Sequence, residues 1–438
     1  MLRAFANAFK IPDLRGKILF TLAIIAVYRF GSFVPIPGVD YEVLRSALDQ
    51  AEAAGAGGAT ALIDLFSGGA LTQLAVFALG IMPYITSSII MQLLTVVIPK
   101  LEEWQREGET GTKKITQWTR YLTIVLAILQ ATGLLAIIRN QPEQLFGPAG
   151  QGLQVIPSDL NTLWITLLQI LTLTAGTAFI MWLGELITQR GIGNGMSLMI
   201  FAAIVSSLPG QGSAILRSDG GNILFPIAMA VGLLLIVGVV FVEQGQRRIP
   251  VQYAKRQVGR RMYGGTSTYI PLKVNQSGVI PIIFASSLLY LPSLAATIIN
   301  RPGFTNFVDN YFSTGSHWSY ILTYFILVVF FAYFYTAITF NPIDIADNMK
   351  KYGGFIPGIR PGRPTAEYLD RVLTRITLPG SLYLASLAIL PLLVLSAAGI
   401  QFPFGGATLL IVVGVGLETM KQLESQLMQR HYEGFLKT

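Results

Sequence analysis

The chain has 438 residues, of which 52% are hydrophobic and 12% are charged, and its formal net charge is +8. The charged share is about half of that in a soluble globular domain and the mean hydropathy is +0.57, so the composition excludes a water-soluble fold and predicts a surface that faces lipid. The absence of cysteine excludes disulfides, thiolate catalysis and Cys-ligated metals, and two histidines are too few for an imidazole metal site.

Ten apolar runs follow one another along the chain. They comprise residues 18–34, 74–98, 119–138, 160–184, 196–208, 223–242, 278–299, 318–340, 376–398 and 407–420. A helix needs roughly 20 apolar residues to cross the hydrocarbon, so the fifth and tenth runs are short. The first run lacks a small-residue cleavage site, so we expect it to be retained rather than removed as a signal peptide. The sequence therefore predicts an all-α integral membrane protein with ten transmembrane helices.

The cations are distributed unequally between the loops that join these runs. The odd-numbered loops contain only Arg45, Arg139, Arg217 and Arg301. Apart from Arg29, inside the first run, and Arg120, at the start of the third, all other Lys and Arg residues lie in the termini or the even-numbered loops. Because cytoplasmic loops keep the cations, both termini are predicted to be cytoplasmic.

The number of runs also predicts the domain organisation. Five runs precede residue 210 and five follow it, so segments 1–209 and 210–438 begin with opposite orientations, as in an inverted repeat. The stretch 207–221 (SSLPGQGSAILRSDG) is the expected hinge between these two halves. Residue-level similarity between the halves is not evident.

The interiors of the runs are almost free of ionisable groups, which usually mark ion paths and proton relays. Arg29 lies about two turns from the outer end of its run, and we expect its side chain to snorkel to the interface. The lack of a mid-membrane carboxylate weighs against a pump or an ion-coupled transporter.

A short apolar segment, residues 60–73 (TALIDLFSGGALTQ), follows the first run. It is too short to cross the membrane, and Ser67, Gly68 and Gly69 interrupt it. Such a segment either lies in the interface as a helix or re-enters the membrane where protein covers it. An interfacial helix and a movable stopper are both open at this point.

Two runs contain features of helices that move. Pro83 lies within the second run and is expected to kink it, because proline removes a backbone hydrogen bond. Ile81 and Ile85 share one face of that run, although such isoleucines usually face lipid or a neighbouring helix. The seventh run opens at a proline and carries Ser286 and Ser287, which are typical of loosely packed helices.

Motifs of soluble enzymes are lacking. Residues 191–195 (GIGNG) resemble a phosphate loop only superficially, because no strand precedes them and no Lys-Ser/Thr follows. A tight turn between the fourth and fifth runs explains them. The chain contains no HExxH, no GxSxG and no paired interior carboxylates, so the sequence predicts neither an enzyme nor a cofactor.

Two long even-numbered loops contain sequence patterns that predict local structure. Loop 244–275 is rich in cations and contains no Asp or Glu. Within it Ile249, Val251 and Tyr253 alternate with Arg, Pro and Gln, a period of two that predicts a protruding strand-like finger. Loop 341–375 contains several Gly and Pro residues that force turns. Together they predict a cytoplasmic docking platform; solvated loops that only set the topology are the alternative.

Seven motifs in order along essentially the whole chain resemble those of the SecY family of bacterial protein-translocation channels. They are 31–38 (GSFVPIPG), 66–71 (FSGGAL), 78–84 (ALGIMPY), 181–195 (MWLGELITQRGIGNG), 246–256 (QRRIPVQYAKR), 272–287 (LKVNQSGVIPIIFASS) and 355–362 (FIPGIRPG). The resemblance implies two inverted five-helix halves around an hourglass pore. It also implies passage of unfolded, signal-bearing polypeptides across the plasma (inner) membrane of a bacterium.

The resemblance implies that a ring of aliphatic side chains narrows this pore. The ring residues are Ile81, Ile85, Met196, Ile200, Ile283 and Ile411. Met196 stands where the family commonly has isoleucine, and its longer, softer thioether should still close the ring. A narrow apolar ring dewets and blocks ions without binding them, and it tolerates any passing polypeptide.

A short plug helix in the outer funnel and a lateral gate are also implied by the resemblance. The plug residues are Ile63, Asp64, Leu65, Phe66, Ser67, Gly68, Gly69, Ala70 and Leu71. The gate corresponds to the second, third, seventh and eighth runs. A signal sequence that enters there buries apolar surface at about 25 cal/mol per Å², which offsets the cost of opening the gate and releases apolar segments into lipid.

The same resemblance implies that the cytoplasmic loops receive the ribosome or the SecA motor ATPase, which supplies the energy. The docking residues are Arg247, Arg248, Lys255, Arg256, Arg260, Arg261 and Arg360. Such cations suit the phosphates of ribosomal RNA, with salt-sensitive affinity, as well as an acidic protein face. The small membrane subunits SecE and SecG are the remaining implied partners.

Two other functions are weighed against a passive protein-conducting channel. A secondary transporter for a small solute also fits inverted halves and broken helices, but it favours intramembrane acids and a polar pocket. An intramembrane enzyme needs a buried catalytic pair, which the sequence does not contain. The bare interiors and the large basic loops favour the channel.

Overall fold

The structure, a computed structural model, describes residues 9, 11–40, 42–46, 67–140, 142, 156–157, 163–217, 221–253, 256–258, 261–263, 267–299, 301–308, 311, 317–398 and 406–435. Helices dominate this part of the chain. The first group contains α1 (Pro12–Gly31), α2 (Met82–Val97), α3 (Pro99–Arg106), α4 (Glu109–Asn140), α5 (Leu163–Arg190) and α6 (Gly195–Arg217). The second contains α7 (Gly221–Gln244), α8 (Ile280–Ile299), α9 (Pro302–Val308), α10 (Trp318–Thr339), α11 (Pro342–Lys351), α12 (Arg363–Ala398) and α13 (Gly406–Phe435).

Each of the ten predicted apolar runs overlaps one of these helices. Within the described residues, five helical segments are long and apolar enough to cross a membrane. A sixth is added if α2 and α3, which are bent by 100° relative to each other, form one broken span. The chain is therefore a multi-pass helical membrane protein, while ten crossings in two halves stay a prediction.

Two local predictions were wrong. The second run is helical only from Met82, and Pro83 lies in the first turn of α2, where its missing N–H has no intrahelical partner to lose. Pro83 therefore starts the helix and does not kink it. The stretch expected to be a hinge continues α6 as far as Arg217, with Pro209 inside the helix, so the boundary between segments 1–209 and 210–438 falls within one helix.

The strand-like character of the loop 244–275 was predicted correctly. Strand β1 (Gln246–Tyr253) pairs antiparallel with β4 (Ser267–Lys273), opposing Ile249 to Ile270. Strands β2 (Arg256–Val258) and β3 (Arg261–Tyr263) form a second antiparallel pair between them. The other edge of β1 pairs with β5 (Gly354–Phe355), which belongs to the second cytoplasmic loop. The two loops are thus joined in one three-stranded sheet.

The main core lies where the two groups of helices meet. A single cluster of buried apolar side chains takes residues from α1, α2, α5, α6, α7, α8, α10, α12 and α13. The groups contact each other on two sides: α8 packs against α2 and α4, and α6 packs against α7 and α13. A separate apolar core, which includes Ile249, Val251 and Leu272, supports the three-stranded sheet against α11 and α12.

Candidate functional site: an aliphatic constriction, its outer segment and a basic platform

The predicted ring residues come together in the main core. Ile81, Ile85, Ile200, Ile283 and Ile411 belong to one hydrophobic cluster, and the partly buried Met196 packs against it. None of the five isoleucines is more than 8% exposed. Residues that are as much as 330 positions apart in the sequence (from 81 to 411) therefore belong to one buried apolar cluster between the two groups of helices, and we call these six residues the candidate constriction.

Prolines at helix starts orient two members of this constriction. Ile81 is the N-cap residue of α2, with Pro83 in the first turn, and the N–H of Ile85 donates to its carbonyl oxygen at 3.1 Å. Pro281 is the second residue of α8, two positions before Ile283. Because the first turn of a helix leaves its N–H groups without intrahelical partners, proline costs no hydrogen bond there.

Met196 is accommodated by a glycine that the sequence did not point to. A Cβ atom at Gly184 of α5 would lie 2.5 Å from the Met196 Sδ, so a larger residue at position 184 would force the Met196 side chain to move. Asn194 caps α6, because its Oδ1 accepts from the N–H of Met196 at 3.1 Å. Residues 191–194 form the tight turn that was predicted between α5 and α6.

Part of the predicted plug lies outside the described residues, namely Ile63, Asp64, Leu65 and Phe66. Ser67, Gly68, Gly69, Ala70 and Leu71 are described, and Ser67, Ala70 and Leu71 are at most 2% exposed. Beyond this segment, the N–H of Ile36 donates to the Leu74 carbonyl at 2.9 Å and the N–H of Val76 donates to the Val34 carbonyl at 2.8 Å. The chain after the plug segment is therefore tied to the connection that follows α1.

Arg29 does not snorkel, and this prediction was wrong. One nitrogen of its guanidinium, Nη1, donates to the Gly68 carbonyl at 2.6 Å and to Ser206 Oγ at 3.2 Å. The neighbouring Tyr28 hydroxyl donates to the Ser67 carbonyl at 3.1 Å. The side chain turns inward because these acceptors lie close to the end of α1, which no pattern in the sequence reveals.

The helices assigned to the lateral gate contact one another across the two groups. Helix α8 packs against α2, α4 and α10. The Ser87 hydroxyl of α2 donates to the Thr119 carbonyl of α4 at 2.7 Å. Phe284 of α8 meets Phe331 of α10 edge to face, with ring centroids 5.6 Å apart. The contacts of α8 with α2 and α4 join opposite groups of helices.

The predicted docking cations that the structure describes lie on the three-stranded sheet, on the β2–β3 pair and in the loop that follows β5. Arg247, Arg248 and Arg360 are exposed, and the Arg248 guanidinium lies 4.8 Å from the Tyr269 ring centroid in a cation–π contact. Lys255 and Arg260 lie outside the described residues. Arg256 and Arg261 lie in β2 and β3. The exposed described residues give this sheet a positive surface.

Close packing connects the platform to the start of α8, which sequence reasoning missed. Asn275 is buried; its Nδ2 donates to Glu243 Oε1 of α7 and, at 3.0 Å, to the Gly278 carbonyl. A Cβ atom at Gly380 of α12 would lie 2.3 Å from the Val274 carbonyl oxygen. The connection between β4 and α8 is thus held from two sides by α7 and α12.

These features define a class: a multi-pass helical membrane protein with a buried aliphatic cluster between its two groups of helices and a folded basic platform. A family model described as SecY matches residues 75–420. Over the full length of both proteins, the chain is 60% identical to the protein translocase subunit SecY of Streptomyces galbus, 58% to that of Streptomyces coelicolor and 56% to that of Mycobacterium tuberculosis. The chain therefore belongs to the SecY family, whose function is protein translocation.

Solved structures agree with this fold. The structure described as that of a protein-conducting channel aligns with a TM-score of 0.63 at 18% identity, covering 93% of this chain and 91% of the other. Sec61 in the canine ribosome–channel complex aligns with a TM-score of 0.60 at 17% identity over 93% and 91%. The idle yeast Ssh1 complex bound to the 80S ribosome gives 0.59 at 15% identity over 94% and 89%.

Proposed function

We propose that the chain forms the protein-conducting channel through which unfolded, signal-bearing polypeptides cross the plasma membrane of a bacterium. Ten transmembrane helices form two inverted five-helix halves, residues 1–209 and 210–438, and both termini lie in the cytoplasm. The overlap of every apolar run with a helix supports this arrangement, as does the placement of nearly all cations in the termini and even-numbered loops.

The aliphatic constriction is the seal of the resting channel, and its burial is the observation that carries the proposal. Five buried isoleucines and Met196, from both groups of helices, offer no polar atom that replaces the hydration shell of an ion. Such a constriction excludes ions by dewetting. It also makes no hydrogen bonds with a passing chain, so it accepts polypeptides of any sequence.

The segment 63–71 is the plug that closes the outer funnel. Its described part packs between α1 and α6 through the contacts of Tyr28, Arg29 and Ser206. A translocating polypeptide displaces the plug and widens the ring, and both return when the polypeptide has left. The channel role needs no catalytic group and no cofactor in this chain.

Apolar segments leave sideways into lipid between α2 and α4 on one side and α8 and α10 on the other. The contact between these pairs consists mainly of apolar side chains. An incoming apolar segment replaces the contact between the two helix pairs, and its burial contributes about the same free energy per area, about 25 cal/mol per Å². The gate therefore opens at small net cost when a signal sequence is available and closes when it is not.

The platform receives the partner that drives transport, either the ribosome with its ribosomal RNA or the SecA motor ATPase. Two of the solved structures with this fold are ribosome-bound complexes. Exposed Arg247, Arg248 and Arg360 suit phosphate groups or an acidic protein face. SecE and SecG are the proposed small membrane subunits of the assembly.

Crosslinking tests the proposed path directly, because the native chain contains no cysteine. A stalled secretory polypeptide is expected to crosslink to single cysteines introduced at Ile81 and at Ile411. A cysteine at Leu234, which is 71% exposed on α7, is the matched control and should not react. Crosslinks at Leu234 as strong as those at the constriction, or none at Ile81 and Ile411, contradict the proposed path.

A further inference from the structure

The end of α1 and the plug segment are joined by an unusual set of polar contacts. Two consecutive side chains, Tyr28 and Arg29, bind two consecutive carbonyl oxygens, those of Ser67 and Gly68, at 3.1 and 2.6 Å. The contacts join residues 39 positions apart in the sequence. The end of α1 therefore holds the plug segment through hydrogen bonds to its backbone, and these bonds do not involve the side chains of the plug.

The guanidinium also reaches a second helix. Arg29 Nη1 donates to Ser206 Oγ on α6 at 3.2 Å, while the Ser206 hydroxyl donates its own hydrogen to the Ala203 carbonyl at 2.7 Å. The serine oxygen is thus arranged as an acceptor for the cation. The Phe33 ring lies 4.5 Å from the guanidinium carbon and covers its face. Arg29 therefore joins α1, the plug segment and α6 at one point.

The backbone of the plug segment is shaped for this contact. Gly68 and Gly69 have φ angles of +67° and +85°, a conformation that side chains other than glycine adopt at a cost. A Cβ atom at Gly68 would lie 3.1 Å from Ala203 Cα and 3.2 Å from Ser206 Oγ. Glycine thus lets the chain lie against α6 with its carbonyl oxygen within reach of Arg29.

The acceptors on both sides are neutral, which makes the contact reversible. Hydrogen bonds from a charged donor are stronger than those between neutral groups, but within the described part of the chain the partners of Arg29 are a carbonyl, a hydroxyl and an aromatic ring rather than a carboxylate. We infer that Arg29, assisted by Tyr28 and Ser206, is the latch that holds the plug in the closed channel and sets how readily it leaves. This inference rests on the proposed plug and seal.

The rate at which a single cysteine in the plug segment is labelled measures how firmly Arg29 holds that segment. Ser67 is 1% exposed, so Ser67→Cys in the otherwise cysteine-free chain should react slowly with a maleimide in the intact, membrane-reconstituted protein. Arg29→Met keeps the length of the side chain and removes the donors; we expect the labelling rate to rise about tenfold, equivalent to about 1.4 kcal/mol. Ser206→Ala should raise it less, and Arg29→Lys should restore part of the protection.

Arg15→Met is the matched control, because Arg15 is exposed on the same helix. It should leave the labelling rate unchanged. Equal labelling in Arg29→Met and Arg15→Met overturns the latch. Labelling that rises equally in Arg29→Met and Arg29→Lys, together with a lower melting temperature in both, assigns Arg29 to general stability and also overturns it.

Ion conductance separates the latch from the plug itself. Deletion of 63–71 should make vesicles leak, and Arg29→Met should leak less than the deletion does. If the deletion leaks but Arg29→Met neither leaks nor labels faster, only the latch is wrong. If the deletion stays sealed, the proposed plug is wrong, whatever the labelling rate of Arg29→Met is.

Discussion

The candidate constriction and the basic platform differ in the chemistry of their side chains, which are aliphatic in the first and cationic in the second. The constriction brings together aliphatic side chains from distant helices and leaves no polar group to bind a substrate. The platform places exposed cations on a sheet whose own apolar core includes Ile249, Val251 and Leu272. The comparison indicates that unselective passage requires a surface without directional contacts, whereas partner docking requires charges held at defined positions.

We expect the largest effect, an increase in ion conductance, from substitutions in the candidate constriction. Replacing Ile81 and Ile283 together by alanine opens the ring, so ion conductance of reconstituted vesicles should rise by more than about tenfold, because a wider apolar neck is hydrated. The double variant Ile180→Ala with Ile187→Ala is the control. These isoleucines are equally buried in the same cluster but lie on α5 outside the ring. Both pairs lose core packing, about 2–5 kcal/mol for each residue, so equal leakage from the two would contradict the sealing role.

The junction between the two regions should be the next most sensitive. Gly380→Val puts a side chain onto the Val274 carbonyl, which already lies within 2.3 Å of a Cβ position. Overpacking of this kind costs about 1–3 kcal/mol, so the melting temperature should fall and α12 should separate from the start of α8. Gly238→Val is the control, since a Cβ atom there has no neighbour within 4 Å. If Gly380→Val melts at the same temperature as Gly238→Val, the connection between the platform and α8 is packed more loosely against α12 than the structure indicates.

The platform should respond to charge reversal without loss of fold. Arg360→Glu is expected to weaken partner binding about tenfold, about 1.4 kcal/mol, because a phosphate or acidic partner is repelled. Binding to ribosomes at increasing salt is the measurement, and the difference from the parent should shrink as salt rises. Membrane insertion of the variant should be normal. Unchanged binding and unchanged translocation would remove Arg360 from the docking surface.

The smallest effect is expected at the Tyr269 ring beneath Arg248. Tyr269→Ala removes a cation–π contact that is worth about 0.5–1 kcal/mol at an exposed site. Partner affinity should fall by about two- to fivefold with little change in melting temperature. Tyr269→Phe keeps the aromatic face and should restore the affinity. If Tyr269→Phe is as weak as Tyr269→Ala, the hydroxyl rather than the ring positions Arg248.

Sequence reasoning succeeded where a pattern is local. The alternation around Ile249 predicted β1 and its exposed partner positions, and GIGNG predicted the turn before α6. It failed at Pro83 and over 207–217, because a proline is tolerated both at a helix start and inside a membrane helix. That Ile81 and Ile411 belong to one buried cluster could be expected only from the family resemblance, because isoleucines at helical spacing can face lipid or protein.

Hydropathy and loop charge in the sequence determined the membrane class, the positions of the helices and the predicted orientation, because each depends on residues close together in the chain. Tertiary structure alone decided the inward turn of Arg29, the pairing of β5 with β1, and the close approaches at Gly184 and Gly380. Each of these contacts joins backbone or side-chain atoms from distant elements. Their distances follow from how the helices cross, which local composition does not encode.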